Sequence, residues 1–264
     1  MIVDYHMHLR APDESVDHRV EAVERFVKTA AGRGIDEIGF SEHVYYFQQT
    51  RPIWTMRYHL ERCVYDVEPY VEAVVEAKER GHPVKLGIEV DFEPERRQET
   101  AEFLERYPWD YVIGSIHFVD GAGIDAQPSL VDAVGVEGAW RRYYERLGAA
   151  AQSGLFDTLA HPDLVKMFGP EIPWDWDRVA GSLDGVSIEV SSAGLHKPHG
   201  KLYPNPGLLA AARAREISIT LASDAHVPQN VGRDLDRAIE HARAAGYETV
   251  TVFDRRQSRQ EPLG

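Results

Sequence analysis

Residues 1–10 read MIVDYHMHLR, and the pair His6 and His8 in that stretch governs how the rest of the chain is read. A short run of β-formers, residues 2–5, ends in two imidazoles two positions apart. On a strand, positions i and i+2 point to the same face, so the two rings project side by side from its end. Such a pair is either a polar strand edge or half of a metal chelate.

Outward from this stretch, short β-branched runs alternate with longer amphipathic ones. The pattern predicts strands over 2–5, 36–40, 84–90, 111–116, 157–160, 186–190 and 217–222, and 248–253 as an eighth or a flanking strand. Helices are predicted over 16–31, 59–80, 95–107, 138–153, 205–215 and 234–245. Gly32, Gly34, Gly81, Gly154 and Gly246 fall where helices should stop. Strand and helix alternating about seven times is the pattern of a parallel α/β protein. No glycine-rich phosphate loop follows the first strand, which favours a barrel over an open nucleotide-binding sheet.

The predicted strand ends then repeat the chemistry of the first. The second ends GFSEH with His43, and the third reads KLGIEVDFEP with Glu89 and Asp91. The fourth ends VIGSIH with His117, and the fifth TLAHPD with His161 and Asp163. The sixth, SIEVSSAG, carries Glu189 inside it, and the seventh ends TLASDAH with Asp224 and His226. Of the 12 histidines, six stand at strand ends and His196 follows the sixth strand. In an α/β barrel the strand C-termini converge on one mouth, where active sites are assembled from several strands. The joint occurrence at one rim selects the chelate reading for His6 and His8.

Six histidines (His6, His8, His43, His117, His161 and His226) and two carboxylates (Glu89 and Asp224) exceed what one ion uses. They imply two or three divalent ions, with a carboxylate such as Glu89 bridging. Imidazole and carboxylate without thiolate suit Zn, Mn or Fe(II). Grouped ions of this kind serve phosphate-ester or amide hydrolysis, by lowering the pKa of a bound water and stabilising developing charge.

Composition sets the bounds. The chain has 264 residues, 43% of them hydrophobic, enough for one large domain or two small ones. Its net charge of −14 argues against a broad nucleic-acid surface. Divalent ions outweigh the charge of Glu89 and Asp224, so the mouth itself would be electropositive and suit a small anionic phosphate ester. The sequence contains no long apolar run and no basic-then-apolar leader pattern, which speaks against a membrane and a secretory route. The single cysteine, Cys63, excludes an intrachain disulfide, and the cytoplasm is the expected compartment.

In order along the chain, DYHMH, FSEH, GIEVD, GSIHF, AHPDLVK and SDAH resemble the motifs of the PHP (polymerase and histidinol phosphatase) superfamily. GSIHF, AHPDLVK and SSAGLHKPHGKLYPN bring the chain nearest to its histidinol-phosphate phosphatases. The resemblance spans residues 2–253. It implies that residues 1–264 form one PHP-type metallohydrolase domain, a distorted (β/α)7 barrel with a trinuclear centre.

Carried over, His6, His8, Glu89 and Asp224 would hold the first metal and its hydroxide. Glu89 would bridge to a second metal with His117 and His161, and His43 and His226 would hold the third. A further ligand is expected from LRAPDESVDH, where Asp13, Glu14 and His18 are candidates. Where the relatives carry arginine and then lysine after strand six, this chain has His196 and Lys197, with Lys201 beyond. Phosphate binding is therefore expected of Lys197 and Lys166, with His196 assisting when protonated. Asp91 and Asp163 would either receive the substrate's cationic end or orient ligating histidines.

The expected activity is hydrolysis of L-histidinol phosphate to L-histidinol and phosphate by a metal-bound hydroxide. The alternatives are a phosphodiesterase or 3′-exonuclease, as in other members of the superfamily, and a non-catalytic metal-binding scaffold. The complete set of eight ligands speaks against a scaffold.

Overall fold

The computed structural model describes residues 1–264 apart from Glu14 and Ala126. In chain order its strands are β1 (Val3–Asp4), β2 (Glu37–Phe40), β3 (Val84–Asp91), β4 (Tyr111–Ser115), β5 (Phe118–Val119) and β6 (Ala122–Gly123). They continue with β7 (Thr158–Leu159), β8 (Ser187–Ser191), β9 (Ile219–Ala222), β10 (Thr249–Asp254) and β11 (Gln257–Pro262). The α-helices are α1 (Val20–Gly32), α2 (Arg57–Leu60), α3 (Glu68–Glu79), α4 (Arg97–Leu104), α5 (Ser129–Gln152), α6 (Trp176–Gly181), α7 (Pro206–Ala214) and α8 (Leu235–Ala244).

Seven of these strands form one parallel sheet in the order β1-β2-β3-β4-β7-β8-β9. The two ends of that sheet meet. Tyr5 N–H donates to Leu221 O (3.0 Å), and His8 N–H donates to Ala225 O (2.8 Å), beside a parallel bridge between Met7 and Ala225. Asp4 fastens the seam: its carboxylate accepts from Ser223 N–H (2.8 Å), Ser223 Oγ (2.5 Å) and Gly232 N–H (2.8 Å). Burial pushes the Asp4 carboxyl up to about 6, against the pull of these donors. The expected seven-stranded barrel is thus present and nearly closed.

Tyr111 fills the barrel interior. A Cβ at Gly39 or at Gly87 would lie 2.3 Å from its ring or hydroxyl, so the absence of a side chain at these two positions makes its place. Its hydroxyl donates to Tyr5 O (2.7 Å). Below it the ring of Phe253 stacks at 5.7 Å. Phe253 belongs to β10, which pairs antiparallel with β11. The last predicted strand is therefore a flanking hairpin. It is tied to the start of β4 through Arg256 N–H to Asp110 O (2.9 Å).

The predicted helix over 59–80 is corrected. Residues 64 and 65 instead donate their N–H groups to Tyr46 O (3.1 and 3.0 Å), and α3 starts only at Glu68, where Pro69 occupies the first turn. The segment between β2 and α3 becomes a wall at the barrel mouth. The helix predicted over 138–153 extends back to Ser129 through a break at Gly135 (φ 72°). The short helix α6, capped by Asp175 accepting from Arg178 N–H (3.0 Å), has no counterpart among the predicted elements. No helix of the described residues is long and apolar enough to cross a membrane.

Candidate metal centre

The C-terminal ends of the parallel strands bring the ligand candidates to one mouth, around Glu89. Oε2 of Glu89 lies 3.3 Å from His6 Nε2, 3.7 Å from His8 Nε2 and 2.7 Å from His43 Nδ1. Its other oxygen, Oε1, lies 3.6 Å from His117 Nε2 and 3.5 Å from His161 Nε2. Asp224 Oδ1 stands 3.3 Å from His8 Nε2 and 3.7 Å from His6 Nε2. The His8 ring is stacked between His43 and His226, with both centroids at 4.3 Å.

Four overlapping triads have ligand atoms within 4.8 Å of one another: His6, His8 and Asp224; His6, Glu89 and His161; His43, Glu89 and His117; and His8, His43 and His226. All eight expected ligands are therefore in one cluster. The grouping adds His8 to the His43–His226 pair.

Two of these residues leave their strands with left-handed backbone, His161 at φ 25° and Asp224 at φ 53°. Such conformations cost on the order of 1 kcal/mol or more for a residue with a Cβ and concentrate at functional sites.

Behind the cluster, carboxylates hold the rings. His6 Nδ1 pairs with Glu189 Oε1 (2.8 Å), His8 Nδ1 with Glu42 Oε1 (3.3 Å), and His117 Nδ1 with Asp91 Oδ1 (2.6 Å). Glu42 also accepts from the N–H groups of Leu9 and Arg10 (both 3.0 Å), and His59 Nε2 lies 3.3 Å from Asp91 Oδ2. A carboxylate on Nδ1 fixes the tautomer and turns Nε2 toward the centre. Burial alone would push Glu89 and Asp224 up. The histidines, foremost His43 and His6 for Glu89 and His6 and His8 for Asp224, hold both well below the ordinary carboxylate range. Burial works against a charge on His117 too, but Asp91 and Glu89 raise it to about 10.

His6 Nε2, His8 Nε2 and both oxygens of Glu89 are buried and make no hydrogen bond among the described residues. Buried polar atoms are ordinarily paired. Four buried nitrogen and oxygen atoms that converge without a hydrogen bond match a set of metal ligands. Nitrogen and oxygen donors in this number fit divalent cations.

The cluster floors a cavity of about 340 Å³, walled by Tyr45, Tyr58 and Phe118 and edged by Asp125 and Lys197. Of the cations expected to meet phosphate, only Lys197 lines it. Lys166 is buried, with Nζ 2.8 Å from Asp163 Oδ2 and 2.6 Å from Leu202 O. His196 pairs with Asp234 (2.8 Å), and Lys201 pairs with Glu171. Asp163 also accepts from Asn205 N–H (2.7 Å), so together with Lys166 it joins two loops and neither faces the cavity. Asp13 is spent on Ser15. His18 packs on Phe47 and Tyr70 and stands 3.7 Å from Glu42, one layer behind His8. Glu14 lies outside the described residues. The supporting role of Glu42 was missed in the sequence, where it is hidden beside His43 in FSEH.

The PHP domain family profile matches residues 4–192. A relative from Deinococcus radiodurans, named probable histidinol-phosphatase, is 33% identical over 258 residues, 94% of this chain and 96% of its own. The histidinol-phosphatase of Bacillus subtilis is 23% identical over 83% of this chain and 92% of its own. Among solved structures, the histidinol phosphate phosphatase of Lactococcus lactis, in complex with zinc, L-histidinol and phosphate, superposes with a TM-score of 0.77. It is 20% identical, and 98% of each chain is covered.

Proposed function

We propose that this chain, which belongs to the PHP domain family, is a metal-dependent phosphomonoesterase that hydrolyses L-histidinol phosphate to L-histidinol and inorganic phosphate. The observation that carries the chemistry is the convergence of His6 Nε2, His8 Nε2 and both Glu89 oxygens, all buried and without a hydrogen bond among the described residues, where Glu89, His117, His161 and Asp224 line a cavity. The substrate is argued from the relatives, one of them 33% identical over nearly the whole chain.

We assign His6, His8, Glu89 and Asp224 to one divalent ion, and Glu89, His117 and His161 to a second. His43 and His226, with His8 in reach, would hold a third. Zn, Mn and Fe(II) all suit these donors, and the Lactococcus structure, which contains zinc, favours Zn. When bound, such ions lower the pKa of water toward neutrality and offset charge on the phosphoryl oxygens.

The chain's own side chains do the rest. Glu189, Glu42 and Asp91 keep three imidazoles aimed, so little rearrangement is needed as charge develops. Lys197 supplies a cation at the rim for a phosphate oxygen. Tyr45, Tyr58 and Phe118 give the same cavity an aromatic wall. We read residues 1–264 as one PHP-type domain acting in the cytoplasm, in keeping with one connected core and a single buried cysteine, Cys63.

The test is phosphate release from L-histidinol phosphate, p-nitrophenyl phosphate and an oligonucleotide, after chelation and re-addition of Zn, Mn or Fe(II). Metal-dependent turnover of histidinol phosphate at least about a hundredfold more efficient than that of the aryl ester is expected. Comparable efficiency on both esters, or a preference for the oligonucleotide, would overturn the substrate assignment.

A further inference from the structure

Neither carboxylate that sequence spacing offers to a substrate amine reaches the cavity. Asp91 is taken by His117 and His59, and Asp163 by Lys166 and Asn205 N–H. A different one does. Asp125 lines the same cavity, is exposed, and among the described residues enters no ion pair or hydrogen bond.

Its position is set by the β5–β6 hairpin. Phe118 stands opposite Gly123 in that hairpin, and Ile124 N–H donates to His117 O (2.9 Å), which pins the segment to the end of β4. The Phe118 ring is 5.0 Å from that of Tyr58, so the carboxylate sits beside an aromatic wall. Apolar walls lower the local dielectric and strengthen any charge pair formed there. Lys197 comes from the loop after β8, and β7 separates β8 from β4 in the barrel order. The lining of the cavity thus includes a cation and, from a different loop, an anion with no ion-pair partner among the described residues.

L-Histidinol phosphate has the matching polarity. Its phosphate is dianionic, and its ammonium stands on the carbon next to the phosphorylated one. We propose that Asp125 is the specificity residue of this site, receiving the substrate's ammonium while the phosphate lies toward the metal ligands and Lys197. This rests on the phosphatase reading above.

The experiment compares kcat/KM for L-histidinol phosphate and its des-amino analogue in the metal-loaded wild type, Asp125→Asn and Asp125→Glu. The wild type should prefer the amine-bearing ester by about tenfold or more, as suits one partly exposed charge pair. Asp125→Asn should bring the ratio close to one, chiefly through KM, and Asp125→Glu should restore part of it. A preference retained in Asp125→Asn overturns the assignment of Asp125. So does a wild type that hydrolyses both esters equally well, and the phosphatase reading then stands. Turnover of neither ester refutes the phosphatase reading itself and this inference with it.

Discussion

Glu189 Oε1 lies 2.8 Å from His6 Nδ1, while its Oε2 accepts from His161 N–H (3.1 Å), so one buried carboxylate positions two residues of the cluster. Glu189→Gln keeps an acceptor but loses the charge that makes the ring a stronger donor to metal. Metal affinity should fall by about ten- to a hundredfold, read by competition with a chelator. Equal affinity in the variant would mean that His6 is oriented by packing alone.

Asp224→Ala or His8→Ala removes a proposed ligand outright. Each should lose at least one equivalent of bound metal, measured by elemental analysis, and several orders of magnitude in turnover. Secondary structure should persist, because both residues stand at the barrel's mouth, beyond the core strands. Full activity at reduced metal content would sink the ligand assignment.

All eight cluster residues were legible from their places at or just past the C-terminal ends of parallel strands, because those ends share one mouth. What lies behind them was less so. Asp91 and Asp163 follow Glu89 and His161 at the same spacing, yet only Asp91 turns to a ligating histidine. Asp91 is still on β3, where alternation holds, whereas the chain has already left β7 at His161 with φ 25°. Beyond that point spacing says nothing about direction. Residues 59–67, read as the first part of a helix over 59–80, instead precede it, and Pro69 in the first turn marks where α3 starts. Asp125 lies past a tight hairpin that no periodicity marks.

The two lysines expected to meet phosphate should now behave differently. Lys197→Ala should raise KM for a phosphomonoester by about tenfold with little change in melting temperature, as for a rim cation. Lys166→Ala strands Asp163 as an unpaired buried charge, which costs about 3–5 kcal/mol of stability. Thermal melting beside kinetics separates the two. A Lys166 variant that melts normally but fails to bind phosphate would restore the expectation drawn from sequence.

The loop that carries Lys197 also contains a group whose protonation should report on stability. Lys201 N–H donates to His199 Nδ1 (3.1 Å), which leaves the Nε2–H for Tyr203 Oη (2.8 Å). Protonating Nδ1 would break the first of these bonds. Burial, with Lys166 and Lys201 nearby, pushes the imidazole down to about 4. An unfolded His199 takes up its proton near pH 6.5. Between those two values the unfolded chain therefore binds more protons than the folded one. Stability contributed by His199 is complete above about pH 6.5 and declines as pH falls toward 4. The ring is half-buried, so solvent screening reduces the effect to about 1–2 kcal/mol. His226, pushed down to about 4 by burial, responds in the same range, so the informative quantity is the difference between wild type and His199→Gln. Denaturant titrations from pH 4 to 8 should show the variant less stable at pH 8 and the gap shrinking on acidification. A gap independent of pH would show that His199 titrates alike in both states.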